Sequence, residues 1–184
     1  MINHIDLSTV LRRTVCDLYS DLVTRPTGAA VRLGIEQLLA EMNDPTLTVI
    51  DFSHVGLLDF SCADEIVAKL LLQYTVADAP REAYFLFRGV SESHLDAIET
   101  VLQRHGLALV AQVGEETPTL VGAVDERERC TWDAVRRLGR PAPSEVGREV
   151  GVAADQAEAL LAELCRRRLV MRLGGSYAAV GALP

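Results

Sequence analysis

Val49-Ile-Asp-Phe-Ser-His-Val-Gly-Leu-Leu-Asp-Phe-Ser-Cys-Ala-Asp64 is the stretch on which the fold turns. It opens inside Leu47-Thr-Val-Ile-Asp-Phe52, a β-branched run without helical period, which predicts a buried strand. A loop over 53–60 follows. Across 63–74, Ile66, Val67, Leu70, Leu71 and Tyr74 then share one helical stripe, with Glu65 and Lys69 as an i,i+4 pair. Strand, loop and helix in that order form the first half of a βαβ unit.

Working outward, the alternation continues on both sides. Toward the C-terminus, Ala83-Tyr-Phe-Leu-Phe87 predicts the next strand. Ser93 is the expected cap of a helix carrying Leu95, Ile98, Val101 and Leu102, which Gly106 ends. A strand over 107–113 and a further one over 118–124 complete the set. Toward the N-terminus, Leu7, Leu11, Val15, Leu18 and Leu22 predict one helix of about four turns. Thr24-Arg-Pro-Thr-Gly28 interrupts it. A second helix buries Val31, Ile35, Leu38, Leu39 and Met42 and stops at Asn43-Asp-Pro45, because proline and its predecessor resist a helix. The expected class is therefore α/β, a mostly parallel sheet built from right-handed βαβ units with packed helices.

The last sixty residues have a different outline. Helices are expected over 125–138, 143–150 and 153–168, and then a hairpin of 169–173 and 177–180 turning at Gly174-Gly-Ser176. Three helices and a hairpin make the outline of a winged helix. The expected division is a sheet domain over 1–118 and a small second domain over 119–184. Charge divides the chain similarly. Residues 1–124 hold 8 basic and 17 acidic side chains, net −9, and residues 125–184 hold 10 and 9, net +1.

Composition narrows the functions. The 184 residues are 49% apolar and carry a net charge of −8, which argues against a surface that clings to nucleic acid throughout. No apolar run reaches the roughly 18–20 residues that span a bilayer, and the start lacks the form of a signal peptide, so the expected location is the cytoplasm. Cys16, Cys62, Cys130 and Cys165 form no CxxC pattern, and His4, His54, His94 and His105 no HxxH, so no metal is expected. GxGxxG, GxxxxGK[ST] and GxSxG are absent. No catalytic residue or cofactor is expected, and the chain is not expected to be an enzyme. A receiver-type phosphoacceptor at Asp51 is excluded, because the chain's single lysine, Lys69, lies in mid-helix.

The central stretch resembles the STAS domain, the module of anti-sigma factor antagonists. In that family a strand ends in an acidic residue, a loop carries a small polar residue and a valine, and an Asp-Ser-Ser-Gly-like tetrad opens a helix. Asp51, Ser53, Val55 and Asp59-Phe-Ser-Cys62 match in turn, and Ala63-Asp-Glu65 with the leading helices is similar to a STAS-like branch of poorly defined function. The resemblance covers roughly residues 24–113. It places Ser61 on the serine that partner kinases phosphorylate. Phe60 stands where the family has a small hydroxyl residue, and Cys62 where it has the glycine that lets a partner approach. The residues themselves leave two roles for Ser61. It is either an N-cap that stabilises its helix by about 1 kcal/mol, or a phosphoacceptor whose added charge the helix N-terminus tolerates. The implied partner surface is Asp59, Phe60, Ser61, Cys62 and Asp64.

The C-terminal part resembles winged-helix domains of bacterial regulators, including the type appended to the DNA-processing protein of competence. Pro143-Ser-Glu-Val, Gly151-Val, Leu160-Leu-Ala-Glu-Leu164 and Gly174-Gly-Ser-Tyr177 carry the likeness. A DNA reader presents the first turns of its third helix to bases. There Gln156 suits a base, Asp155 and Glu158 have the wrong sign, and Arg166, Arg167, Arg168 and Arg172 make a basic spot farther on. Protein contact or self-association is therefore expected before DNA binding. The expected function is non-catalytic regulation, with Ser61 presented to an anti-sigma factor or a serine kinase of the ATPase type. The alternative is a DNA-binding transcriptional regulator whose N-terminal domain dimerises or senses a small molecule.

Overall fold

A computed structural model describes residues 2–15, 20–42, 46–76 and 78–182. In chain order the elements are β1 (Ile2–Asp6), α1 (Leu7–Thr14), α2 (Arg25–Ala40), β2 (Thr46–Asp51), α3 (Phe60–Ala63), a π-helical stretch (Asp64–Lys69) and α4 (Leu70–Tyr74). There follow β3 (Ala83–Val90), α5 (Glu92–His105), β4 (Ala108–Val113), β5 (Thr119–Gly122), α6 (Glu126–Leu138), α7 (Pro143–Val150), α8 (Ala154–Arg166), β6 (Val170–Leu173) and β7 (Ser176–Ala179). The class is α/β. Strands β1 to β4 are parallel in the order 1-2-3-4, and β5 joins β4 antiparallel.

Period-two alternation sorts the strands' side chains onto two faces. Ile5, Ile50, Phe85, Phe87, Leu109 and Val121 meet α1, α2, the π stretch and α5 in one core. Leu47, Tyr84, Ala108, Val110 and Leu120 point the other way and share a second core with Trp132, Val135, Leu161, Val170, Tyr177 and Val180. The second face is knitted across register pairs, Leu47↔Tyr84, Leu86↔Val110 and Val110↔Leu120. The C-terminal helices and hairpin therefore cover the face that the crossover helices leave open. At about 1.5–3 kcal/mol per buried large apolar side chain, this docking rests on hydrophobic contact. The Arg168–Glu82 pair at its edge, with Glu82 half-exposed, contributes at most about 1 kcal/mol.

Several expectations change. Ile2–Asp6 has no usable pattern of its own and becomes the edge strand by pairing with β2, Ile5 beside Ile50. The first helix ends at Thr14 instead of running to Leu22, because Leu22 is buried in an extended segment that bridges Leu58. Leu18, Cys16 and the stop at Asn43-Asp-Pro45 lie outside the described residues. Ser91, not Ser93, caps α5, in a reciprocal box with His94, and Gly106 ends the helix at φ 63° as expected. Thr119–Gly122, expected in the C-terminal part, belongs to the sheet, where it pairs with β4.

Candidate functional site

The loop between β2 and α3 lies at the carboxyl ends of the parallel strands. Asp51 closes β2, accepting from the Ser53 amide at 2.9 Å and from Arg88 Nη2 of β3 at 2.5 Å. Val55 is buried and its amide donates to the Phe52 carbonyl. The loop then runs parallel to the segment before α2. The Gly56 amide donates to the Ser20 carbonyl, the Leu22 amide to that of Leu57 and the Asp59 amide to that of Leu22, at 2.7–2.9 Å. Leu22 and Leu58 turn inward, and their neighbours Val23 and Leu57 are left outside, 42% and 59% exposed.

His94 fastens this loop to α5. Its ring is buried. Nδ1 accepts from the Ser91 amide at 3.2 Å, and Nε2 lies 3.0 Å from the Gly56 carbonyl. A carbonyl only accepts, so the proton in this arrangement is on Nε2.

At the tetrad, the cap is Asp59. Its Oδ1 accepts from the Cys62 amide at 2.8 Å, and the Ser61 hydroxyl donates to the same carboxylate at 2.9 and 3.1 Å. Ser61 therefore sits inside the first turn as a donor to the cap. The capping role expected of it falls to the aspartate, whose carboxylate reaches the first-turn N–H. Asp59, Phe60 and Ser61 are half-buried, and Arg104 of α5 lies over the Phe60 ring at 5.8 Å from its centroid.

Cys62 and Asp64, expected on the partner surface, face inward. Cys62 packs under α2, where a Cβ on Gly28 would stand 2.9 Å from the Cys62 Cα. Only a glycine lets the two helices approach this closely. The thiol donates to the Thr24 carbonyl at 2.9 Å, and burial, with the Asp59 carboxylate nearby, pushes its pKa up to about 12. That thiol is not a nucleophile.

Asp64, expected on the partner surface, and Glu65, expected in an i,i+4 pair with Lys69, are both buried in a charged cluster. Arg25 Nη1 stands 2.8 Å from Asp64 Oδ2 and 2.8 Å from Glu65 Oε1. His105 Nε2 lies 2.9 Å from Asp64 Oδ1, Lys69 pairs with Glu65, and Arg32 bridges Glu36 and Glu65. Burial raises both carboxyls, but the hydrogen bonds from Arg25, His105 and Lys69 outweigh it and hold both below their ordinary range. The cluster joins α2, the π stretch and α5. A signal for it was present in Arg25, Gly28 and Arg32, which recur on one face of α2.

The arginines singled out for nucleic acid separate. Arg167 is nearly buried, with Nη1 2.6 Å from Glu128 and Nη2 2.5 Å from the Ala123 carbonyl. Arg168 adopts φ 60°, rare for a residue with a side chain. Its Nε donates to the Tyr74 carbonyl at 3.1 Å, and its guanidinium lies over Tyr84. Arg168 attaches the C-terminal helices to the sheet domain, and Arg167 ties the end of α8 to α6 and to the segment after β5. Arg166 pairs with Glu163 through two contacts. Gln156 and Arg172 are exposed and far apart along the chain, and the start of α8 carries exposed Asp155 in its first turn and exposed Glu158 just after it.

Among the described residues, no group of three or more His, Cys, Asp or Glu side chains is placed to hold a metal ion, and no helix is long and apolar enough to cross a membrane. No protein-family model, curated protein or solved structure matches the chain.

Proposed function

We propose that this chain is a non-catalytic regulator, built in the manner of an anti-sigma factor antagonist, whose Ser61 surface engages a protein partner. One observation carries this reading: Ser61, half-buried in the first turn of a helix, donates to its cap Asp59, and the loop leading into that cap is tied by backbone hydrogen bonds to the segment around Leu22, with Leu57 of the loop and Val23 of that segment left exposed. Exposed apolar residues on the two segments that meet at the cap, with a modifiable hydroxyl in the turn it starts, suit recognition that a charge can cancel. The partner face is Val23, Leu57, Asp59, Phe60 and Ser61. It leaves out Cys62 and Asp64, which are internal.

The partner class is an anti-sigma factor or serine kinase, and the C-terminal winged-helix-like part serves protein contact. The DNA-regulator reading is weaker, since Arg167 and Arg168 are occupied within the molecule and the first turn of α8 would set acids against phosphate. A phosphate on Ser61 would place about two charges against the Asp59 carboxylate that now accepts its hydrogen bond. The helix N-terminus tolerates the added charge, and the charge of the partner face changes in one event.

Capture from the native cell with the full chain tests this. Wild-type protein should retain a kinase-type or sigma-regulating partner. Ser61→Asp and Leu57→Glu should each lose it with little change in melting temperature, and a fraction of native Ser61 should carry phosphate by mass spectrometry. Unmodified Ser61 under all growth conditions, with capture indifferent to both substitutions, would overturn the reading.

A further inference from the structure

A cleft of about 560 Å³ lies along the seam between the sheet domain and the C-terminal helices. Its walls come from the end of α4, the turn between α5 and β4, and the corner after α8. Leu72 and Val76, 37% and 50% exposed, form an apolar wall. The polar lining is Thr75, His105, Arg166, Arg167 and Arg168, and among the described residues no aspartate or glutamate faces the cleft. The carboxylates that pair with these cations, Asp64, Glu163 and Glu128, stand outside the lining. Arg168 has the least compensation, with Glu82 3.9 Å away and half-exposed.

We infer that this seam cleft binds a small amphipathic anion, a carboxylate or phosphate ester on an apolar body, with the acid toward Arg166 and Arg168 and the body against Leu72 and Val76. Its volume lies in the range of small-molecule sites, and an apolar wall with a few convergent polar groups is their usual construction. His105 and the three arginines arise where α4, α5 and α8 all end, a setting that draws basic side chains to helix C-termini. Arg168 already satisfies the α4 end at the Tyr74 carbonyl, and Arg167 the Ala123 carbonyl. Arg166 alone keeps a solvent-facing guanidinium, and its exposed pairing with Glu163 is weak enough to be exchanged for a ligand's acid. A ligand here touches both parts of the molecule. It also touches His105, whose ring holds Asp64 beyond the tetrad.

Titration of the full chain with anilinonaphthalene sulfonate, an anion on an apolar body, tests this by fluorescence. One saturable site is expected on the folded protein, weakened by added salt and displaced by octanoate or by an alkyl phosphate. Leu72→Glu and Arg166→Gln, both at exposed positions, should each weaken binding about tenfold or more while the melting temperature holds. Ser61→Asp should bind the probe like wild type, which separates this site from the partner face. Absence of saturable binding overturns the inference, as does binding that both cleft variants leave unchanged.

Discussion

Asp59 and Ser61 exchange the roles that composition alone would assign them. Either type can cap a helix. Here the aspartate accepts from the Cys62 amide and the serine only donates to the aspartate. Asp59→Ala should therefore lower stability by about 1 kcal/mol, and Ser61→Ala by clearly less, when urea midpoints are compared. The reverse ranking would return the cap to Ser61. The tetrad's position at a helix start was legible, since an acid before a short polar run and an apolar stripe marks an N-terminus. Which oxygen meets the first amide depends on backbone torsions at Asp59, which no residue type dictates. The inward place of Cys62 was not legible, because it depends on the bare Cα of Gly28, distant in sequence, that lies against it.

The strand, helix and hairpin elements of the interior follow from local pattern. The edges do not. β2, β3, β4 and α5 appear within a few residues of where periodicity puts them, because each buries a face whose spacing is written in the chain. β1 was invisible, and Leu22 misled, since both owe their conformation to a partner distant in sequence. The buried acids of the π stretch tell the same story at the level of charge. Glu65→Gln should cost about 2 kcal/mol, because Arg25, Arg32 and Lys69 lose their shared anion. Asp64 and Glu65 are held below their ordinary values, so their contribution is fully present above about pH 4, the unfolded range, and is lost as pH falls through the folded values. Urea midpoints measured from neutral pH downward should fall across that window. Asp64→Asn with Glu65→Gln should flatten the fall, and an unchanged profile would remove the cluster from the pH response.

At the scale of the molecule, the tail helices and hairpin are part of the sheet's core. Trp132, the single tryptophan, is fully buried in the cluster that contains Tyr84 and Val110 of the sheet, and its Nε1 donates to the Leu169 carbonyl at 3.1 Å. Unfolding followed by tryptophan fluorescence should therefore coincide with unfolding followed by far-ultraviolet circular dichroism, in one cooperative transition. Fluorescence that changes first would mean that the tail detaches as an independent unit. The alternating order of elements, the mostly parallel sheet, the outline of the tail and a helix start at the tetrad were determined by the sequence alone, because each rests on spacing within a dozen or so neighbouring residues. Burial of Cys62 and Asp64, recruitment of Arg167 and Arg168 to the seam, the edge strand and the cleft were decided only by tertiary structure. Each of these depends on which distant surface arrives to compete with water for the same side chain, and no local pattern records that.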